Sequence, residues 1–256
     1  MLTFSNRLIS MYTETVQSER LYKKVANRYN AVFERAILAE GRLTELTRQM
    51  LDGRRVLDLA CGNGRWLERF DPEGYVGIDL NEQMLSEALT HFPGAQFVRG
   101  DMTAIPFADQ SFEGLMSMFG AMGHLPLEGQ QKMIAEIHRV LVPGGVAILT
   151  NGNMISPFAL PVTISGNRVK LEGIRFRVYS TTPQRFTRLL RGFKLLRLES
   201  YDYSFIPMFP VKFASCLLGR DYQSDYHRLM DIYGHSTFIP SLRWFGKQLV
   251  AVCQKA

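Results

Sequence analysis

Apolar and polar positions change period along this chain, and the changes set out most of its elements. Between residues 14 and 50, Tyr22, Val25, Ala26, Tyr29, Val32, Phe33 and Ile37 recur at steps of three and four. That is the repeat of a helix with one buried face. From residue 55 the pattern switches to short apolar runs separated by turn residues. Val56-Leu57-Asp58-Leu59, Gly74 to Asp79, Gln96 to Arg99, Glu113 to Phe119 and Val146 to Thr150 read as five buried strands. Helical stretches fall between them. Arg65 to Phe70 reads as a helix start, Glu82 to Phe92 follows Asn81 as its cap, and Glu128 to Leu141 is stopped by Pro143-Gly144-Gly145. Strands alternating with helices in this rhythm predict a parallel, doubly wound sheet. The ligand crevice of such a sheet lies at the carboxyl ends of its strands.

After Thr150 the rhythm loosens. Residues 151–161 read as a loop, and Val162 to Val169 with Ile174 to Tyr179 as a hairpin. Thr182-Pro183 opens a helix to about Leu190, by the preferences for a hydroxyl cap and a first-turn proline. Lys194 to Tyr201 reads as the sixth strand and Lys247 to Cys253 as the last. Residues 201–245 lie between those two and hold 11 of the chain's 29 aromatics, so they must be packed on something. Tyr203 to Pro210 is apolar but broken by Pro207 and Pro210, which argues against plain helix. This segment is either an extra packed subdomain or a lid over an apolar pocket. In the lid reading Phe205, Met208 and Phe209 wall that pocket. The expected organisation is a helical cap over 1–50, a core over 51–200 and 246–256 with a hairpin insertion at about 160–180, and a candidate lid over 201–245.

Composition narrows the class. The chain has 256 residues, 46% of them apolar, with a mean hydropathy of −0.06, as in a globular protein with a sizeable core. No apolar run approaches the ~18 residues of a membrane helix. The first residues, Met1 to Arg7, lack a signal-peptide apolar core. Cys61, Cys216 and Cys253 show neither metal spacing nor an even disulfide framework, so reduced thiols, a cytoplasmic location and no metal are expected. The net charge of +6 is uneven: residues 1–55 carry +4, residues 56–150 carry −7 and residues 151–256 carry +9. A basic third can be an ordinary solvated surface, or it can attract nucleic acid, anionic lipid or an acidic substrate.

The candidate chemistry sits after the first strand. Gly62 and Gly64 permit a tight turn without a Cβ. Strand, glycine turn and helix start together make a cradle for a ligand with negative or polar groups. A nicotinamide or flavin fingerprint needs a small residue three positions after the second glycine, and Leu67 stands there. Asp58, four residues before Gly62, suits a different adenosyl ligand. Asp79 lies 21 residues after Asp58, where nucleotide folds put the acid that accepts bonds from ribose hydroxyls.

Asp58-Leu-Ala-Cys-Gly-Asn-Gly64 resembles motif I of the class I S-adenosylmethionine-dependent methyltransferases. The resemblance continues in order through Gly77 to Asn81, Gly100-Asp101-Met102, Asp109 to Glu113 and Ile137 to Gly145. It covers residues 20–150 well and 179–200 loosely, and is nearest to the ubiquinone and menaquinone ring and natural-product branch. It implies a Rossmann-like α/β fold with a seven-stranded, mostly parallel sheet whose last strand is antiparallel. It also implies S-adenosyl-L-methionine as cofactor and S-adenosyl-L-homocysteine as product. In that reading Asp58, Ala60, Gly62 and Gly64 form the cofactor turn and Asp79 takes the ribose. Leu80 and Met84 flank the adenine, Asp101 takes its amino group, and the backbone of Met102 meets the ring. Met118 and Phe119 stand beside the methionine part, with Phe119 in the substrate pocket. Val25 to Asn30 resembles the segment that precedes motif I in quinone-ring methyltransferases, which implies that Arg28 and Tyr29 close over the cofactor. Tyr22 is either a core residue or part of the substrate pocket. His124, the only histidine near the expected methyl group, is either a catalytic base or structural.

The expected activity is methyl transfer to a small, largely apolar acceptor by in-line displacement at the sulfonium methyl, driven mainly by positioning. Two alternatives stay open: methylation of RNA or protein through the basic C-terminal third, and a cofactor-binding protein without catalysis. Nucleic acid is not the expected partner. No RNA-binding appendage is evident, and no Asn/Asp-Pro-Pro-Tyr/Phe motif follows the fourth strand. Peripheral membrane contact and a monomer or homodimer both fit the sequence.

Overall fold

In the computed structural model, which describes residues 16–32, 41–156, 168–201 and 245–256, the apolar runs pair into one sheet. Residues 16–25 form α1, followed by a 3-10 turn over Ala26–Arg28, α2 over Tyr29–Val32 and α3 over Gly41–Leu51. Then come β1 Arg55–Leu59, β2 Gly74–Asp79, α4 Glu82–His91, β3 Gln96–Arg99, β4 Phe112–Ser117, α5 Leu127–Val140 and β5 Leu141–Gly152. The chain continues with β6 Arg168–Leu171, β7 Ile174–Arg177, α6 Pro183–Leu189, β8 Phe193–Tyr201 and β9 Gln248–Lys255.

Seven strands form the main sheet in the order β3-β2-β1-β4-β5-β9-β8. β1 to β5 run parallel, and β9 is antiparallel to both of its neighbours. The order reverses at β1, with β2 on one side and β4 on the other, so a crevice opens at the carboxyl ends of these three strands.

The period-two alternation of each strand supplies a core on each face. Leu57, Leu59, Ile78, Leu115 and Leu149 pack with Met133 and Ile137 of α5 and Phe186 of α6. Val56, Met116, Ile148 and Val250 pack on the other face with Leu43, Leu46 and Leu51 of α3 and with Trp66. Burying each such side chain contributes about 1.5–3 kcal/mol before entropy is charged against it. A third, smaller cluster joins Leu21, Val25 and Tyr29 to Phe176 of the separate β6–β7 hairpin and to Met84 of α4. This cluster forms a cap of helix and hairpin above the crevice.

Four local expectations are revised. The segment after Gly64 is a 3-10 turn over Arg65–Arg69 rather than the opening of an α-helix. The helical run expected across 14–50 is interrupted by the 3-10 turn at Ala26–Arg28, because Tyr29 folds back into the cap cluster. Leu141 already pairs with Phe112, so β5 begins before Pro143-Gly144-Gly145 and carries those residues through a register shift. The hairpin pairs Arg168–Leu171 with Ile174–Arg177, so its first strand runs past Val169 to Leu171, while the expected stretch 162–167 lies outside the described residues. Phe205, Met208 and Phe209, with the rest of 202–244, lie outside the described residues, as does Cys216. Cys61 and Cys253 are buried free thiols. Among the described residues no helix is long and apolar enough to cross a membrane.

Candidate functional site

The chain leaves β1 through a left-handed turn. Ala60 has φ 59°, Gly62 φ 58° and Gly64 φ 74°. Glycine adopts this region freely, whereas an L-residue such as Ala60 is strained there by about 1 kcal/mol. A Cβ on Gly62 would stand 3.0 Å from Met84 Cε, and one on Gly64 would stand 2.8 Å from Phe97 Cζ, so both positions need the missing side chain. The turn is held to β2 by two bonds: Cys61 N–H donates to Ile78 O at 3.0 Å, and Gly62 N–H donates to Asp79 Oδ2 at 2.9 Å. Asp79 Oδ1 accepts from Asn81 N–H at 2.8 Å.

Asn81 performs its expected capping role. Its Oδ1 accepts from the N–H groups of Gln83 and Met84, and its Nδ2 donates to Glu19 O of α1 at 3.0 Å. One buried amide therefore ties the cap to the start of α4. At the end of β4 a second non-glycine residue, Phe119, is left-handed with φ 59°, followed by Gly120 with φ 71°. Strain at two neighbouring strand ends marks the crevice as a place where geometry is selected over local stability.

A cavity of about 180 Å³ lies between these strand ends and the cap. Asp79, Leu80 and Met84 line it from β2 and α4, with Ala60 and Gly62 from the turn. Asp101 and Met102 follow from the end of β3, and Met118 and Phe119 from the end of β4. Tyr22, Tyr29 and His124 complete this group of expected residues. Three other expected residues stand outside the lining. Asp58 lies beneath it, 1% exposed, accepting a hydrogen bond from Tyr75 Oη at 2.8 Å. Gly64 packs on Phe97 and Phe92. Arg28 pairs with Glu172 of the hairpin turn at 2.6 Å, on the outside of the cap.

Several lining residues were not singled out from the sequence: Ser18, Glu19, Thr103, Ala121 and Leu125, and Asn81 beyond its capping role. Ser18 and Glu19 precede Tyr22 by four and three positions. Helical spacing puts them on its face and could have found them. Thr103 is held by Asp101, whose Oδ1 accepts from both Thr103 N–H (2.8 Å) and Oγ1–H (2.9 Å).

Burial sets the protonation states. His124 is half-buried in the cavity wall, its Nδ1 bonded to Ser18 Oγ at 3.0 Å and its Nε2 to Tyr22 Oη at 2.8 Å. Burial pushes its pKa down to about 4, so the imidazole is neutral at pH 7. A neutral imidazole accepts at one nitrogen and donates at the other, so both bonds to α1 are satisfied at once. Burial also raises Tyr22 well above the usual phenol range, with Tyr29 and Asp79 adding to the shift. Asp58 is pushed up to about 7 by burial, partly offset by the Tyr75 hydrogen bond and Arg65, while Asp79 adds to the rise. Asp79 itself is raised by burial, against the bonds it accepts from Asn81, Gly62 and Leu80.

Comparison with known proteins bears on the domain and its fold. The sequence profile described as "Methyltransferase domain" matches residues 56–145. The chain is 36% identical over 107 residues to a phthiotriol/phenolphthiotriol dimycocerosates methyltransferase of Mycobacterium ulcerans, covering 40% of this chain and 38% of that one. It is 31% identical over 137 residues to a demethylmenaquinone methyltransferase of Renibacterium salmoninarum, covering 50% and 56%. The chain thus matches about half, or less, of the length of these relatives. Among solved structures, an S-adenosylmethionine-dependent methyltransferase of Thermotoga maritima superposes with a TM-score of 0.63 at 14% identity, covering 93% of this chain and 99% of that one. A chain from the complex between the Haloferax volcanii Trm112 methyltransferase activator and a methyltransferase gives 0.65 at 18% identity, covering 91% and 97%. The two solved structures share the fold. Residues 56–145, over β1 to β5 of the sheet whose strand order reverses at β1, are therefore a methyltransferase domain, on the fold that the S-adenosylmethionine-dependent enzyme of Thermotoga maritima shares.

Proposed function

We propose that this protein transfers the methyl group of S-adenosylmethionine to a small, largely apolar acceptor. The observation that carries the proposal is the make-up of the cavity. It has a carboxylate at the end of β2, apolar walls at the ends of β3 and β4, and a roof of α1 side chains.

The residues present fit S-adenosylmethionine. Gly62 leaves open the space that a Cβ would fill beside Met84. Asp79 keeps acceptor capacity after its two backbone bonds, since a carboxylate offers about four lone-pair sites for ribose hydroxyls. Leu80, Met84 and Met102 offer apolar surfaces to a flat base. Asp101 uses only Oδ1 on Thr103, leaving Oδ2 as an acceptor for an exocyclic amine. When bound, S-adenosylmethionine supplies a methyl group on a cationic sulfur, already activated for displacement.

What the chain contributes is orientation and exclusion of water. Met118, Phe119 and Tyr29 line the same cavity as Asp79 and would shape the path along which the acceptor must approach in line. Tyr29 and Phe119 meet edge to face with centroids 6.4 Å apart, and the Arg65 guanidinium lies 5.2 Å from the Phe119 ring on its other contacts, which fixes that wall. His124 acts here as a positioning residue that pins α1 over the cavity, because both of its nitrogens are engaged with that helix. The substrates for which the two relatives are named, a demethylmenaquinone and phthiotriol dimycocerosates, support an apolar acceptor.

Titration calorimetry with S-adenosylmethionine, S-adenosylhomocysteine and NAD tests the cofactor, and transfer of labelled methyl to a panel of quinol, phenol, peptide and RNA acceptors tests the reaction. Binding of the first two at roughly micromolar Kd, about −8 kcal/mol, with turnover on quinols or phenols, is expected. Comparable NAD binding sinks the cofactor assignment. Binding without turnover on any acceptor would favour a catalytically silent protein, and turnover on RNA alone would reassign the acceptor.

A further inference from the structure

Helix α1 sorts its side chains into three stripes. Leu21 and Val25 are buried in the cap cluster, while Arg20, Lys23 and Lys24 are exposed. Glu19 and Tyr22, three positions apart, are half-buried on the stripe between, and both line the cavity. Glu19 is the one acid between residues 16 and 28. Lys23 stands four positions after it, where a surface glutamate takes its usual helical partner. Among the described residues no ion pair joins the two, and no hydrogen bond reaches the Glu19 carboxylate. The other carboxylates and the histidine of the lining are engaged. Asp79 accepts from two backbone N–H groups, Asp101 holds Thr103, and His124 is bonded to Ser18 and Tyr22.

The backbone of Glu19 fixes where this carboxylate sits. Asn81 Nδ2 donates to Glu19 O at 3.0 Å, and Asn81 N–H donates to Asp79 Oδ1 at 2.8 Å. These two bonds set the Glu19 turn of the helix beside the end of β2. Arg28, the residue that the family resemblance places over the cofactor, is turned outward to Glu172. The cap therefore presents a carboxylate to the cavity where an arginine was expected. A guanidinium only donates hydrogen bonds, whereas a carboxylate only accepts them, so the ligand group under the cap must offer O–H or N–H.

We propose that Glu19 is a cofactor ligand carried by the cap, its carboxylate sharing the two ribose hydroxyls of the adenosyl group with Asp79, so that bound cofactor ties α1 to β2. The inference rests on the proposed use of S-adenosylmethionine. A carboxylate held partly out of water without a donor is unfavourable, and a hydroxyl placed on it relieves that cost. The resulting bond is charge-assisted and stronger than one between neutral groups. One acid stands on the helix and the other on the sheet, so the pair is complete only while the cap is docked. Cofactor binding and docking of α1 are then one coupled equilibrium, and the cofactor stabilises the docked cap.

Calorimetry on the full chain with S-adenosylhomocysteine and with 5′-methylthioadenosine tests the contact, since the second keeps the adenosyl group and lacks the amino-acid end. Glu19→Ala should weaken both ligands about tenfold. Glu19→Gln, which keeps an oxygen acceptor without the charge, should weaken both about threefold. The melting temperature of the unliganded variants should hold, because among the described residues the carboxylate has no partner to lose, while the rise on adding S-adenosylhomocysteine should shrink. Amide hydrogen exchange reads the tie itself: S-adenosylhomocysteine should slow exchange over residues 16–25 in the wild type, and less so in Glu19→Ala. Unchanged affinity in Glu19→Ala overturns the proposal, as does exchange over 16–25 that ignores the ligand. A loss for S-adenosylhomocysteine without one for 5′-methylthioadenosine overturns it too, by moving the contact to the amino-acid end. Weaker binding that comes with an earlier melt of the unliganded variant overturns it in favour of a purely structural glutamate. A wild-type protein that binds neither ligand refutes the proposed function and this inference with it, whereas the other failures leave the proposed function standing.

Discussion

Tyr22 Oη and His124 Nε2 are joined by a 2.8 Å hydrogen bond across 102 residues of sequence, with the two rings edge to face at 5.4 Å. With the Ser18 bond on the other nitrogen, this fastens the N-terminal helix to the turn after β4. Tyr22→Phe removes one partner of a half-buried imidazole, and a lost hydrogen bond there costs about 1 kcal/mol. The expected outcome is an earlier thermal transition and weaker cofactor binding through a looser roof. The pH dependence of turnover should keep its shape in His124→Gln, because a histidine with a pKa near 4 and both nitrogens engaged does not set the neutral limb. A lost limb at unchanged cofactor affinity would make His124 the base after all.

Asp58 and His124 bias stability in opposite directions with pH. Asp58 is raised from 3.8 to about 7, so its contribution is complete below about pH 4 and is lost as pH rises through 7. His124 is lowered from 6.5 to about 4, so its contribution is complete above 6.5 and is lost as pH falls toward 4. Asp58→Asn keeps an acceptor for Tyr75 Oη and deletes the first effect. The melting temperature of the variant minus that of the wild type should be near zero at pH 4 and grow to its maximum above pH 7. Each pKa unit corresponds to about 1.4 kcal/mol. Relief of Asp79, which the Asp58 charge opposes, acts in the same direction. A difference that shrinks with rising pH refutes the assignment.

The two glycines of the turn should fail differently. Both are left-handed, so alanine costs about 1 kcal/mol at either. At Gly64 the new Cβ meets Phe97 Cζ at 2.8 Å, and that ring is held edge to face by Tyr75 with centroids 5.9 Å apart. At Gly62 it meets only the end of the flexible Met84 side chain at 3.0 Å, in the cavity lining. Gly64→Ala should therefore lower the melting temperature more, and Gly62→Ala should weaken cofactor binding more. Melting curves beside calorimetry decide this, and the reverse order refutes it.

What the sequence made legible was whatever a local rule governs. Period-two runs and capping residues gave β1 to β5, the Asn81 cap and the helix opened by Thr182, whose Oγ1 accepts from Arg185 N–H. Motif spacing gave twelve of the residues that line the cavity. Arg28 escaped because an exposed arginine beside the lining residue Tyr29 can turn outward to an acid, and Glu172 lies 144 residues away. The role of His124 escaped for the same reason: its partners are on α1, and no local pattern announces a contact across a hundred residues. Long-range pairing of polar groups is decided by how the cap settles on the sheet, which hydrophobic period does not encode.

Asp79 is where the cofactor assignment is most exposed to refutation. Its carboxylate accepts from Gly62 N–H and from Asn81 N–H, one on each oxygen, and it lines the cavity beside Leu80. An asparagine there retains the shape but has one oxygen for two backbone donors, so its NH2 group must face an N–H. It also loses the charge that strengthens bonds from ribose hydroxyls. Asp79→Asn should therefore weaken S-adenosylmethionine and S-adenosylhomocysteine alike, by on the order of 2 kcal/mol or about 30-fold in Kd. The two ligands share the ribose and differ only at sulfur, so equal losses locate the effect at the ribose end. Calorimetry on the folded variant, checked by its melting curve, gives both numbers. A loss confined to S-adenosylmethionine would move Asp79 to the sulfonium end of the cavity. An unchanged Kd for both would remove it from the binding site.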